Sequence, residues 1–200
     1  MFTFAPLTTD RFSDFERLFG PRGACGGCWC MFWKLPGKDF HLLCGDGMRQ
    51  MQHSLVDQGL VPGILAYDAD EPVGWMALEP RSAYPRLTRS RVLKPVDEAK
   101  VWSVTCFFTA KSHRRRGVTV ALLREAVSHV ASNGGLIVEG YPVEPKSSQA
   151  PAPFVFTGLP GAFLQAGFVE VARFSPTRPI FRYTIKPGLL EPHLPGAGSV

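Results

Sequence analysis

The residues with the clearest capacity for chemistry form one run, Lys111-Ser-His-Arg114-Arg115-Arg116-Gly117-Val118-Thr119. Three consecutive arginines concentrate positive charge, and Gly117 lets a ligand approach the main chain without meeting a Cβ. Before the run lies the alternating segment Lys100 to Thr109; after it, Val118 to Ser132 carries Leu123, Ala126, Val127 and Val130 at helical spacing. A strand that enters a helix through such a turn leaves the first helical N–H groups unpaired. Those groups, together with the positive end of the helix dipole, attract a pyrophosphate. A solvated charge cluster is the plainer alternative, and the strand-turn-helix setting favours a phosphorylated ligand over it.

The elements that must hold this run can be read in order. Phe2 to Leu7 reads as a strand, and Thr8 or Thr9 as the cap of a helix over Asp10 to Phe19 that places Phe12, Phe15, Leu18 and Phe19 on one side. A loop rich in Gly, Cys and Trp follows, then a helix from Met48 to Gln58 stopped by Gly59. Gly63 to Asp68 and Glu71 to Leu78 form a hairpin. In Lys100 to Thr109, strict alternation puts Trp102, Val104, Cys106 and Phe108 on one face and Val101, Ser103, Thr105 and Phe107 on the other. Leu136 to Tyr141 is a further strand, followed by a Pro-rich loop to about Thr157 that could border an acceptor site. Leu159 to Ala166 forms a short helix, and Phe168 to Arg173 and Pro179 to Ile185 a last strand pair. The order is β-α-α-β-β-β-α-β-α-β-β, an α/β fold of the α+β type. Residues 1–186 are expected to form a single domain and 187–200 a C-terminal tail.

At 200 residues, with 45% hydrophobic and 20% charged side chains, the chain can bury one core and is too short for two large domains. No apolar stretch approaches the roughly 18 residues of a membrane helix. The first residues lack a basic region followed by a long apolar run, so a cytoplasmic protein without a membrane partner is expected. Twenty-two Lys and Arg against 17 Asp and Glu leave +5, which suits an anionic partner: a phosphorylated cofactor, RNA or DNA. Nucleic acid is the least favoured, because the basic loop Arg81 to Lys94 offers one aromatic, Tyr84, for base stacking.

Five cysteines, three of them in Cys25-Gly-Gly-Cys28-Trp-Cys30, look like reduced thiols rather than a disulfide framework. Zinc could be held with Cys44 or His41, but a second C-x-x-C is missing, and packed thiols under Trp29 and Trp33 are the favoured reading, with no metal. The strings of a P-loop, a zincin and an α/β-hydrolase nucleophile do not occur.

With these residues in view, the run resembles motif A of the GNAT superfamily of N-acetyltransferases: Arg or Gln, two residues, Gly, one residue, then Gly or Ala. Arg114, Gly117 and Thr119 fill those positions, Thr119 departing from the small residue usual there. The following helix, the strand Leu136 to Tyr141 and Phe163-Leu-Gln-Ala-Gly167-Phe168 are similar to motifs A and B in order and spacing, and Gly26-Gly-Cys-Trp-Cys-Met31 is similar to a subgroup of bacterial members. The resemblance implies a mixed, splayed central sheet with helices on both faces, and acetyl-CoA as cosubstrate in a V-shaped gap between the strands Val101 to Thr109 and Leu136 to Tyr141. Main-chain groups of Phe107, Phe108 and Thr109 would pair with the pantetheine arm. Arg114, Arg115, Arg116, Gly117, Val118 and Thr119 would surround the pyrophosphate, and an N–H near Cys106 to Phe108 would stabilise the oxyanion.

The implied reaction is direct attack of a primary amine, on a small molecule or a protein, on the thioester in a ternary complex. It needs a base for the ammonium and an acid for the thiolate. Many relatives carry Tyr where this chain has Phe163, so Tyr141 is the first substitute acid, and Glu79 and Glu139 are candidate bases, with a solvated or salt-bridged strand residue as the alternative reading of Glu139. The competing class is a catalytically silent CoA-binding or nucleic-acid-binding module. Dimerisation is common among the resembling proteins, and the C-terminal strand is a plausible exposed edge for a homodimer.

Overall fold

A computed structural model describes residues 1–145 and 152–186. The expected tail 187–200 and part of the Pro-rich loop lie outside the described residues. Seven strands form one sheet in the order β1-β2-β3-β4-β5-β7-β6. They are β1 (Thr3–Pro6), β2 (Gly63–Asp68), β3 (Glu71–Pro80), β4 (Trp102–Thr109), β5 (Ile137–Gly140), β6 (Val169–Arg173) and β7 (Pro179–Thr184). β4 and β5 pair in parallel and the other neighbours are antiparallel. The helices are α1 (Phe12–Phe19), α2 (Gly37–Leu43), α3 (Asp46–Asp57), α4 (Pro85–Thr88), α5 (Val118–Ser132) and α6 (Pro160–Gln165).

Each face of the sheet has its own helices because side chains alternate along a strand. Met76 and Leu78 of β3 pack with Leu122, Leu123, Ala126 and Val130 of α5 and Phe163 of α6. Trp75 and Ala77 pack on the opposite face with Phe12, Phe15 and Phe19 of α1, Met48 and Val56 of α3, and Trp29. α1 and α5 form where periodicity expected them, since Phe12, Phe15 and Phe19 bury one stripe and α5 another. Thr8 does not cap α1: its hydroxyl donates to Asp10, and a 3₁₀ turn over Thr9–Arg11 leads into the helix. α2 gave no sequence signal because it has no buried residue, and Leu42 points into solvent. The exposed sheet edge at the C-terminal end belongs to β6, not to the last strand, which lies between β5 and β6; Val169 and Val171 are exposed along it.

The alternation expected along β4 breaks at one residue. Ala77 pairs with Cys106 but Leu78 pairs with Val104, so Thr105 is extra, a β-bulge in β4. The bulge puts Val104 and Phe107 on the α5 face and turns Cys106 and Phe108 to the α1 face. The β4–β5 ladder runs from Trp102–Val138 to Val104–Gly140 and stops at the bulge, while β4 continues to Thr109. A bulged strand bends and twists more strongly, which separates the two parallel strands into a V that opens toward the N-terminus of α5.

Candidate functional site

The basic run becomes a cradle at the open end of the V. Gly117 sits before α5 in the left-handed region, at φ +80°, and a Cβ there would project into open space. Arg115 is also left-handed, at φ +62°. Main-chain N–H groups in such alternating conformations converge on an anion, in line with the unpaired amides that open the helix. A cavity of about 320 Å³ lies here, lined among others by Thr109, Arg114, Arg115, Gly117, Val118 and Thr119. Arg116 belongs to the run, but its side chain is not in the cavity wall: it turns back to Asp68 at 3.6 Å, where His113 Nε2 also meets Asp68 at 3.0 Å. These two partners hold the Asp68 carboxyl below the usual carboxylate range, His113 contributing most.

Along the V, the main-chain groups of β4 divide by parity. Ala110 donates its N–H to Val73 of β3, whereas Phe107 donates away from β3, to the carbonyl of Phe156 at 2.6 Å. Phe107 and Thr109 therefore present their main-chain groups to the V, and Phe108 presents its own to β3. The expectation that Phe108 pairs with a ligand in the V is corrected on this ground. Next to Phe156, Thr157 is fully buried and its hydroxyl lacks a hydrogen-bond partner. Phe163 fills the space over Gly140, where a Cβ would meet its ring at 2.1 Å.

The three candidate catalytic residues fall into two buried clusters on the face opposite α5. In the first, Glu139 is completely buried between two guanidinium groups: Arg81 donates to Oε1 at 2.8 Å and Arg182 to Oε2 at 2.7 Å. Tyr141 donates its proton to Glu139 Oε1 at 2.6 Å and lies within hydrogen-bond distance of Arg81 and Ser103, each at 2.7 Å. Burial and the Glu139 charge push the Tyr141 hydroxyl well above its ordinary value. Both residues are thus corrected from proton-transfer candidates to parts of a closed network: the carboxylate is neutralised by two arginines, and the phenol proton is committed.

The second cluster surrounds Glu79. Lys34 Nζ lies against Glu79 Oε2 as an ion pair, the two side chains 10% and 9% exposed. Burial raises the Glu79 carboxyl, and Lys34 and Tyr84 pull it back in part. Tyr84 is completely buried with an unpartnered hydroxyl, placed between Glu79 and Thr105 of the bulge. Glu79 and Lys34 also line a cavity of about 660 Å³ on this face.

Sequence reasoning missed Lys34, and the structure removes the least favoured reading of the loop after β3, a base-stacking surface. Tyr84 is core rather than a stacking surface, and Arg81 and Arg86 turn inward, the latter to the Leu35 carbonyl. The Gly-x-x-Gly-x-x-Gly-Gly pattern of residues 20–27 was the available signal for Lys34, because a chain with left-handed glycines at 20, 23, 26 and 27 folds back on itself and carries residues 29–35 over the sheet. Cys30 accepts a hydrogen bond from Trp75 Nε1 at 3.0 Å, and the Cys28 thiol is pushed up to about 11, mainly by burial. Among the described residues no three His, Cys, Asp or Glu side chains are grouped to hold a metal ion, and no helix is long and apolar enough to cross a membrane.

Solved structures share this fold. A putative GNAT-family acetyltransferase from Desulfovibrio desulfuricans is similar at 15% identity and TM-score 0.52, covering 93% of this chain and all of that one. The PaiA N-acetyltransferase of Thermoplasma acidophilum, solved in complex with coenzyme A, is similar at 10% identity and TM-score 0.52, covering 92% and 99%. YncA of Salmonella typhimurium, a putative acetyltransferase solved with acetyl-CoA, is similar at 10% identity and TM-score 0.51, covering 96% and 99%. A search of curated proteins with this sequence found no match. The profile of the acetyltransferase (GNAT) family matches residues 29–141, from the loop beside Glu79 through the bulged strand, the cradle and α5 to the end of β5. Matched over more than half its length, the chain belongs to the acetyltransferase (GNAT) family, a family of acyltransferases.

Proposed function

We propose that the protein transfers an acetyl group from acetyl-CoA to a primary amine by direct attack in a ternary complex. The observation that carries this reading is the continuity of the anion cradle at Arg114 to Thr119 with the outward-facing main-chain edge of β4. Pyrophosphate is held by the amides that open α5, with Arg114 and Arg115 beside it; Arg116 contributes its main chain while its side chain stays with Asp68. The pantetheine amides extend along Phe107 and Thr109. The orphaned hydroxyl of Thr157 fits a ligand that brings its own polar groups into the V.

At the inner end of the V, the Phe107 N–H is the donor for the thioester oxygen. The Phe156 carbonyl already occupies it at 2.6 Å, so an oxygen can be received there, and Phe156 must yield when the thioester enters. The amine nitrogen attacks the carbonyl carbon, the C–S bond breaks, and coenzyme A leaves as a thiolate that receives, through water, the second proton the nitrogen sheds as it becomes an amide. Glu79 accepts the ammonium proton. It sits three residues along β3 from Met76, the partner of Phe107, a span of roughly 10 Å, so the proton travels through water. Its raised carboxyl suits a base better than an exposed glutamate does.

Thermal unfolding with CoA and acetyl-CoA, followed by thiol release with an amine panel, tests the reading. A midpoint raised by both cofactors, with release that depends on the amine, is expected. In Gly117→Val the left-handed φ is strained and the branched side chain points into the cradle, so the cofactor shift is lost while the circular dichroism spectrum is retained. A normal shift in the folded variant overturns the phosphate assignment. Cofactor binding with no amine-dependent release identifies a silent binder, and a midpoint raised only by DNA at low salt identifies a nucleic-acid module.

A further inference from the structure

We infer that the cavity beside Lys34 and Glu79 is the acceptor pocket and that its substrate is a small amine that also carries a carboxylate: an α-amino acid with an apolar side chain. The inference rests on the acetyl-transfer reading above and adds the substrate class.

Size is the first argument. About 660 Å³ is within the range of small-molecule sites and ample for an amino acid with its water. Composition is the second. Met31, Leu35, Met51 and Leu55 supply an apolar wall, and Lys34 and Glu79 are the charged side chains set into it.

The pairing of those two charges is the third argument. Taking both out of water is costly, and the cost is recovered only with good geometry and additional hydrogen bonds. Here Lys34 meets a single carboxylate oxygen of Glu79, and no second cation reaches the pair among the described residues. A ligand with an ammonium and a carboxylate replaces one pair by two, carboxylate on Lys34 and ammonium linked to Glu79 through water, and keeps the pocket neutral. A diamine brings a second cation against Lys34, and a dicarboxylate brings anions against Glu79.

The arrangement also couples recognition to proton transfer. The titratable groups that face Glu79 are Lys34, from the loop before α2, and Tyr84, from the loop after β3; both hold its carboxyl down against the effect of burial. When a substrate carboxylate takes over Lys34, Glu79 loses the stronger of those two partners and becomes the better base at the moment an ammonium must be deprotonated. An amine without a carboxylate leaves the Lys34 contact in place.

The test uses the full-length protein with acetyl-CoA and three acceptors of one shape: leucine, leucinamide and isoamylamine. Leucine is expected to be acetylated with kcat/KM about tenfold or more above the other two, the size of one lost charge-assisted hydrogen bond. Lys34→Met is expected to raise KM for leucine and shrink that preference to about threefold or less, and Lys34→Arg to restore part of it. Leucinamide or isoamylamine acetylated as well as leucine overturns the inference and leaves acetyl transfer standing. A preference unchanged in a Lys34→Met protein that still responds to CoA also overturns it. If no amine is acetylated, the functional reading fails, and the pocket is judged by binding: leucine must raise the unfolding midpoint of wild type and not of Lys34→Met, and no rise in wild type overturns the assignment. Should Lys34→Met not fold, the wild-type acceptor series decides the matter alone.

Discussion

Two carboxylates, Glu79 and Glu139, are buried on the same face of the sheet, at the same end of adjacent ladders, and differ in how completely their neighbours satisfy them. Glu139 has a guanidinium on each oxygen and a phenol proton besides. Glu79 has one ammonium, on a single oxygen, and a cavity beside it. Burial alone therefore does not mark a reactive group. Glu139 joins β5 to β7 and to the loop after β3, and so serves the fold; the unmet bonding capacity of Glu79 is available to a ligand.

The contrast can be broken experimentally, most forcefully at Glu139. Glu139→Ala leaves Arg81 and Arg182 without their shared partner in the interior, and urea denaturation should show a loss of about 3–5 kcal/mol. A loss below about 1 kcal/mol would put Glu139 outside the structural network. Glu79→Gln should lose less stability than Glu139→Ala, because it strands one cation rather than two, and should lower kcat by about 100-fold, the lower range for a lost general base. Its pH profile sharpens the point. Glu79 must be ionised to accept a proton, so wild-type kcat/KM falls as pH drops through its carboxyl pKa, which lies above the ordinary carboxylate range; this acid limb should disappear in Glu79→Gln.

Tyr141→Phe ranks next. Removing the hydroxyl deprives Glu139 of a donor and leaves Arg81 and Ser103 short of an acceptor, at about 1–2 kcal/mol of stability. Turnover per folded molecule should stay within about twofold, since the phenol proton is committed to Glu139; a large fall in kcat with unchanged stability would restore Tyr141 as the acid. The smallest effect separates satisfied from unsatisfied charge within the cradle. Arg115→Ala should weaken CoA binding more than Arg116→Ala, each by about 1 kcal/mol or less as exposed charges, because Arg116 is paired with Asp68. Equal losses, measured by calorimetric titration, would count against that division.

The legibility of these regions follows how each is built. The cradle was readable because one short segment makes it: its chemistry is the main chain of residues 114–119, fixed by a glycine at φ +80° and the start of α5. β2, α5 and the hairpin were readable for the same local reason, and α5 begins and ends where its periodicity does. α2 was invisible because it buries no residue. The phase of β4 could not be foreseen beyond Val104, since a single extra residue at Thr105 reverses every side chain after it, and bulges arise from pairing with a partner strand rather than from composition.

The amino-acid sequence by itself determined the order of the strands, the strand-turn-helix run through Gly117 and the family to which the chain belongs, because each rests on contiguous residues and their periodicity. The tertiary structure decided what surrounds each acid. Lys34 precedes Glu79 by 45 positions and Tyr84 follows it by 5, whereas Arg182 lies 43 beyond Glu139. A carboxylate's proton affinity is set by the charges and cavities that folding brings against it, and those distances exist only once the chain has closed.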